Sequence, residues 1–134
     1  MQFRLIILFI MFSFSITGNC QKMYDRSGSL IGRFENGRVY DHSGSLRGRV
    51  ENNRFYNSSG GYAGYERDER FYDHSGALLG YTNDDRFYNN TGAYVGQIKD
   101  GRVYDHSGTL IGRAENVSKV VVGLVFFYGI YPLR

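Results

Sequence analysis

A 16-residue segment recurs six times in tandem without a gap: MYDRSGSLIGRFENGR from residue 23, VYDHSGSLRGRVENNR from 39, FYNSSGGYAGYERDER from 55, FYDHSGALLGYTNDDR from 71, FYNNTGAYVGQIKDGR from 87 and VYDHSGTLIGRAENVS from 103. A unit this short cannot bury an apolar face alone, so the copies must pack on one another. Each column then performs one geometric task six times. The second column is tyrosine throughout, Tyr24, Tyr40, Tyr56, Tyr72, Tyr88 and Tyr104. The sixth is glycine, Gly28, Gly44, Gly60, Gly76, Gly92 and Gly108, and so is the tenth, Gly32, Gly48, Gly64, Gly80, Gly96 and Gly112.

The sixth-column glycine follows Ser or Thr and, three residues back, Asp or Asn, as in Asp25 to Gly28. That tetrad is a tight-turn composition: the Asx side chain bonds the backbone ahead of it and glycine supplies a positive φ. A second turn, such as Glu35-Asn36-Gly37 or Lys99-Asp100-Gly101, closes each unit. Short β-prone stretches flank both turns, so each unit reads as one hairpin and the array as about twelve strands. A helical reading fails, because a glycine or turn residue interrupts every few positions. Glycine inside a strand costs stability, so the tenth column implies a bend or a close approach of something packed on that face. The second-column tyrosine is expected to lie across it from the neighbouring strand.

Twelve strands in a row would leave two open edges, and closure removes both. Strands about 4.8 Å apart and tilted near 40° give a radius of roughly 10 Å, and so a bore about as wide as one helix. After Lys119 comes the apolar run Val120 to Tyr131, then Pro132-Leu133-Arg134. Apolar on every side, it suits a helix enclosed by the barrel. Its valines and aromatics also admit an extra strand, and a membrane-inserted segment is the third option, although twelve residues as a helix fall short of the roughly 30 Å hydrocarbon core.

The N-terminus reads Met-Gln-Phe-Arg, an apolar run from Leu5 to Ile16, then Thr17 to Gln21, the form of a secretory signal peptide over residues 1–20. Cleavage after Cys20 leaves residues 21–134 without cysteine; the rival reading makes Cys20 an acylated lipoprotein residue. Either reading makes the protein exported, to a periplasm, envelope or exterior, and excludes a disulfide within one mature chain. The formal charge of +3 comes from Arg4, Lys22, Lys119 and Arg134, which flank the repeats; residues 23–118 carry 12 Lys and Arg against 13 Asp and Glu. A phosphate-binding stripe is therefore not expected, and no nucleic acid is assigned as partner.

Tandem units of the form Tyr-Asp-x-x-Gly-x-x-Ile-Gly-x-Ile, followed by a Val- and Phe-rich tail behind a signal peptide, resemble the bacterial β-flower proteins, most closely the five-fold type. Tyr24-Asp25 to Gly32, the five later copies and the Val120 to Phe127 tail carry the likeness, with six units in place of five. The resemblance implies a ring of hairpin petals around an apolar channel, similar to the tubby C-terminal and scramblase barrels in which twelve strands enclose a hydrophobic helix. It brings no catalytic residues.

His42, His74 and His106 share one column in alternate repeats. At a radius near 10 Å they would stand about 17 Å apart, too far to share a metal, and they read as turn tips. The Asp-rich turns lack the closely spaced carboxylates of a calcium loop. Asn57, Asn89 and Asn116 match the N-glycosylation pattern. No catalytic, cofactor or metal residues are assigned. Tyr62, Tyr65, Tyr81 and Tyr94 make the third to fifth units the most aromatic and are the candidates for stacking on sugars, against ordinary inter-strand packing. The sequence thus points to a non-enzymatic exported scaffold or binding module of all-β, barrel-forming hairpins. Lipid contact through residues 119–134 and glycan binding through these tyrosines are the alternatives.

Overall fold

The computed structural model describes residues 21–133; the expected signal peptide, residues 1–20, lies outside them. Six hairpins supply β1 (Gln21–Asp25) and β2 (Leu30–Glu35), β3 (Arg38–Asp41) and β4 (Leu46–Glu51), β5 (Arg54–Asn57) and β6 (Tyr62–Arg67), β7 (Arg70–Asp73) and β8 (Leu78–Asn83), β9 (Arg86–Asn89) and β10 (Tyr94–Lys99), and β11 (Arg102–Asp105) and β12 (Leu110–Ala114). Every strand pairs antiparallel with its chain neighbours, and β1 pairs with β12 to close the barrel. The closing register, Met23 with Ala114, Tyr24 with Arg113 and Asp25 with Gly112, repeats that of every other junction, such as Val39 with Phe34, Tyr40 with Arg33 and Asp41 with Gly32. Among the described residues no strand edge is left for pairing with another chain.

The first turns are built alike. In repeat one, Asp25 Oδ1 accepts from the Ser27 backbone N–H and hydroxyl (2.9 and 2.7 Å) and from the Ser29 N–H (3.0 Å), while Gly28 takes φ +89°. Asn57 does the same in repeat three. The second turns place left-handed residues in succession, Asn36 and Gly37 at φ +53° and +77°, Asn52 and Asn53 at +52° and +62°. Positive φ at both central positions is the geometry whose twist matches a two-residue hairpin. One rim of the barrel therefore carries all first turns and the other all second turns.

The inner wall alternates with the outer one. First-column Met23, Val39, Phe55, Phe71, Phe87 and Val103 point inward and are fully buried, each opposite a tenth-column glycine, as Phe55 is opposite Gly64. Between columns eight and ten the register slips by one residue, so every unit carries a β-bulge.

The tail enters the bore from the second-turn rim. Ser118 caps α1 (Lys119–Val122), its hydroxyl accepting from the Val121 N–H (3.3 Å), and a π-helical stretch follows over Gly123–Phe127, closed by Tyr128 N–H to Gly123 C=O (2.8 Å). Val121, Val122 and Leu124 are at most 1% exposed. The expected central helix thus ends at Phe127; Gly129 at φ +70° turns the chain, and Tyr131 N–H returns to Leu124 C=O (3.1 Å). A physical reason lies in the wall. Six units repeat about every 60° around the ring, whereas an α-helix turns about 100° per residue. The looser π-turn brings successive side chains nearer the spacing of the units they meet.

Candidate functional site

A barrel with an empty bore would hold its ligand inside; here the chain's own tail fills that space. Consecutive side chains fan out to successive units. A Cβ added at Gly112 would lie 2.6 Å from Phe126, at Gly96 2.5 Å from Phe127, and at Gly80 2.5 Å from Tyr128. Beyond the turn, the Tyr131 ring lies against Gly48, and a Cβ at Gly32 would be 2.6 Å from Leu133. Gly64, in repeat three, has only Tyr72 and Asp73 backbone as its nearest atoms. In all six units that Cβ would also strike the carbonyl oxygen of the next tyrosine in the ring. The tenth column is glycine because strand backbone closes on it, and in five units because a tail side chain does too.

This corrects the expected placement of the second-column tyrosines. They give the glycine a backbone carbonyl, while their rings stand on the outer wall.

Two tail hydroxyls reach the wall's backbone. Tyr131 Oη accepts from the Tyr56 N–H (3.1 Å) and donates toward the Tyr56 and Arg49 carbonyls (2.7 and 2.8 Å). Tyr128 Oη donates toward the Tyr88 and Tyr81 carbonyls (2.9 and 3.0 Å). Burial disfavours the phenolate, pushing Tyr131 up to about 12 and Tyr128 well above the usual phenol range. At the rim, Lys119 Nζ donates to Asp84 C=O (2.7 Å) and lies 3.8 Å from Glu69 Oε2. The tail is tied to the wall at both ends of its path, and these groups serve structure.

The outer wall is where side chains remain free to act. Barrel shear aligns the outward residues in oblique rows, each crossing five strands. One runs Glu51, Arg54, Tyr65, Tyr72, Leu78, and the next Arg67, Arg70, Tyr81, Tyr88, Tyr94. Of the candidate tyrosines, Tyr65 falls in the first of these rows and Tyr81 and Tyr94 in the second, while Tyr62 stands opposite Tyr56 in the row before them. Tyr65 stacks on Tyr72 with centroids 4.6 Å apart, and Tyr81 on Tyr88 at 5.0 Å. Tyr62 and Tyr94 meet Tyr56 and Tyr88 edge-on at 6.1 and 5.9 Å and keep 44% and 36% of their surface exposed. Around the rest of the ring an arginine covers the second-column tyrosine, Arg113 over Tyr24 (4.8 Å), Arg33 over Tyr40 (4.3 Å) and Arg49 over Tyr56 of repeat three (4.2 Å), whereas Tyr72 and Tyr88 of repeats four and five stack on tyrosine instead. Tyr62 and Tyr65 also line an open groove of about 360 Å³ with Asn52, Asn53, Arg54, Glu66 and Arg67.

A family model described as "5-fold beta-flower protein" matches residues 17–130. The chain belongs to this family. No curated protein and no solved structure gives a significant match.

In this β-flower the ring closes on six petals, every junction using the same register. The petal tips carry the first turns, with His42, His74 and His106 exposed on them. The Ser27, Ser43, Ser75 and Ser107 hydroxyls, donating to Asp25, Asp41, Asp73 and Asp105, are the chief cause holding those carboxyls below the usual range. Among the described residues no three His, Cys, Asp or Glu side chains are grouped to hold a metal, and no helix is long and apolar enough to cross a membrane. The outer rows were invisible to column-by-column reading, since each draws one residue from each of five strands and depends on the bulge register. The signal that pointed toward them was the crowding of tyrosine in repeats three to five.

Proposed function

We propose that this β-flower is an exported, non-enzymatic scaffold that binds glycan on the outer tyrosine face of repeats three to five. One observation carries the reading: the bore is occupied by the chain's own tail, while on the outer wall Tyr62, Tyr65, Tyr81 and Tyr94 and their ring partners gather in three neighbouring groups, with Tyr62 and Tyr94 the most exposed. Tyr62 and Tyr94, held at 63° and 60° to their partners, are the rings with area to offer a sugar, at little entropic cost because each is fixed by its neighbour. The apolar N-terminal run supports export, and the rim turns, fully used in their own Asx bonds, support a non-catalytic role.

The test is co-sedimentation of the expressed chain with insoluble polysaccharides and, in parallel, with liposomes. Tyr62→Ala and Tyr94→Ala, the two most exposed rings, should each weaken polysaccharide binding. Retention on liposomes and not on polysaccharide would replace the glycan reading with lipid contact.

A further inference from the structure

We infer that the glycan is uncharged and is held at two separate, similarly built subsites, Tyr62 with the Asn57 amide and Tyr94 with the Asn89 amide; this deepens the glycan reading above and rests on it. Two columns of the repeat change together. Repeats one, two, four and six set Asp25, Asp41, Asp73 and Asp105 in the first turn, follow each with Arg26, His42, His74 or His106, and place leucine in the eighth column. Repeats three and five set Asn57-Ser58 and Asn89-Asn90 in the turn and place Tyr62 and Tyr94 in that column. From Asn57 to Tyr62, and from Asn89 to Tyr94, no side chain is charged. Packing alone does not ask for this exchange, since Leu30, Leu46, Leu78 and Leu110 fill the same position opposite the second-column tyrosine.

The amides are set for donation. Asn57 Oδ1 accepts from the Ser59 N–H and hydroxyl (3.1 and 2.9 Å) and the Gly61 N–H (2.7 Å). Asn89 Oδ1 accepts from the Thr91 N–H and hydroxyl (2.9 and 2.7 Å) and the Ala93 N–H (3.0 Å). Three donors on the oxygen fix which way each amide points and leave Nδ2 in no hydrogen bond among the described residues. Asn57 Nδ2 lies 2.8 Å from where a Cβ on Gly61 would stand, and Gly61 directly precedes Tyr62. An Asp in this column makes the same three bonds, as Asp73 does with Ser75 and Ala77, but offers a carboxylate oxygen in place of the donor. Tyr62 and Tyr94 meet their partner rings edge-on and are 44% and 36% exposed, so each turns ring surface to solvent beside its amide. A ring face next to an amide donor is the chemistry of a neutral sugar, whose C–H face stacks and whose hydroxyls accept. In repeat five the Tyr81 hydroxyl, 3.6 Å from where a Cβ on Gly92 would stand, adds a polar group at the turn. Tyr62 is on β6 and Tyr94 on β10, four strand spacings or roughly 19 Å apart across the strands, with the wall curving through about 120° between them. A trisaccharide therefore occupies one or the other.

The test is a heteronuclear NMR titration of the isotope-labelled full chain with β-linked trisaccharides of glucose, N-acetylglucosamine, xylose and mannose, and with trigalacturonate. The side-chain amide signals of Asn57 and Asn89 report each subsite directly. Both should shift with at least one neutral sugar, while the backbone signals of Leu30, Leu46, Leu78 and Leu110 stay in place. Tyr62→Leu should abolish the response at Asn57 and spare that at Asn89, and Tyr94→Leu the reverse. Both variants install the residue that four other units carry in this column, so the barrel is kept. Asn57→Asp, followed at the Tyr62 backbone signal, should weaken binding at hairpin three roughly 2- to 10-fold, the worth of one hydrogen bond. Asn89→Asp, followed at Tyr94, is the second variant if the first fails to fold. Shifts confined to one hairpin, shifts spread equally over the leucine units, or Asp variants that bind as the wild type would overturn the paired subsites, and tighter binding of trigalacturonate than of every neutral sugar would overturn the uncharged assignment; the glycan reading survives each of these. No shift with any sugar would overturn the subsites, and if polysaccharide also fails to co-sediment, the glycan reading falls with them.

Discussion

Replacing Tyr131 by phenylalanine removes one oxygen atom from a side chain that is only 2% exposed, and the consequences can be worked from its contacts. The hydroxyl lies 2.7 Å from the Tyr56 carbonyl, 2.8 Å from the Arg49 carbonyl and 3.1 Å from the Tyr56 nitrogen, and so bridges β4 and β5 from inside. Phenylalanine keeps the ring against Gly48 and leaves those backbone groups without their partner, at a cost of about 1–3 kcal/mol. For a domain of this size, 1 kcal/mol lowers the melting temperature by about 4 °C, so a fall of roughly 4–12 °C is expected. Tyr128→Phe is the internal comparison. Its hydroxyl donates toward two carbonyls and accepts from no N–H, and carbonyls bear an empty site better, so its cost should be nearer 1 kcal/mol. Alkaline unfolding gives a second readout. The folded pKa of Tyr131 is raised from 10.0 to about 12, so the stability its neutral form contributes is fully present below pH 10 and lost as pH rises from 10 toward 12. Two pKa units correspond to about 2–3 kcal/mol. Thermal melts by circular dichroism at pH 8 and across pH 10–12 measure both effects. A Tyr131→Phe variant that melts with the wild type at pH 8, and loses stability equally from pH 10 to 12, would refute the docking of this hydroxyl in the wall.

Three further outcomes follow from the same geometry. Deleting residues 119–134 exposes the fully buried ring of Met23, Val39, Phe55, Phe71, Phe87 and Val103 and should abolish the cooperative thermal transition; a truncated chain that still melts sharply would show that the tail is not the core. Gly96→Ala drives a methyl into the Tyr104 carbonyl and within 2.5 Å of Phe127 and should cost about 3 kcal/mol or more, whereas Gly92→Ala, with φ +89° and its nearest atom 3.6 Å away, should cost about 1 kcal/mol; equal values in denaturant melts would contradict this account of the tenth column. The lowered carboxyls of Asp25, Asp41, Asp73 and Asp105 contribute stability that is fully present above their unfolded pKa near 4 and is lost as pH falls through their lower folded values; the quadruple Asn variant should therefore lose less stability between pH 5 and pH 2, and an unchanged acid profile would count against these turns as its source.

The hairpins were legible because local chemistry decides them. Asp25-Arg26-Ser27-Gly28 specifies an Asx turn wherever it stands, and Asn36-Gly37 a tight second turn, so six copies give twelve strands and closure follows from removing two edges. The tail was legible as a plug and not in its detail. Its apolarity says that it must be enclosed, but the end of helix at Phe127 and the reversal at Gly129 are imposed by where the wall's glycines stand. The tyrosine rings were placed on the wrong side of the wall for a related reason: the bulge shifts the register, and only the register tells which element of the tyrosine, ring or carbonyl, meets the glycine.

The unequal columns follow the path of one asymmetric chain through a six-fold ring. Where the tail offers a large ring to a narrow sector, the wall answers with a small residue: Phe126 lies over Gly112 beside Val103, and Tyr131 over Gly48 beside Val39. In repeats three to five the wall supplies its own rings. Phe87 stacks on Phe127 at 4.6 Å, Phe71 meets Tyr128 at 4.7 Å, and Phe55, in the unit whose glycine has backbone as its nearest atoms, stacks on Phe71 at 6.3 Å. Tail rings thus meet valine in repeats two and six and phenylalanine in repeats four and five, so the volumes balance over the core as a whole. No such balance governs the outer columns, since solvent accepts arginine or tyrosine there alike, yet tyrosine gathers over the same three units. Fold stability accounts for the inner asymmetry, and on the outer wall the gathered tyrosines pair across strands, Tyr65 on Tyr72 and Tyr81 on Tyr88.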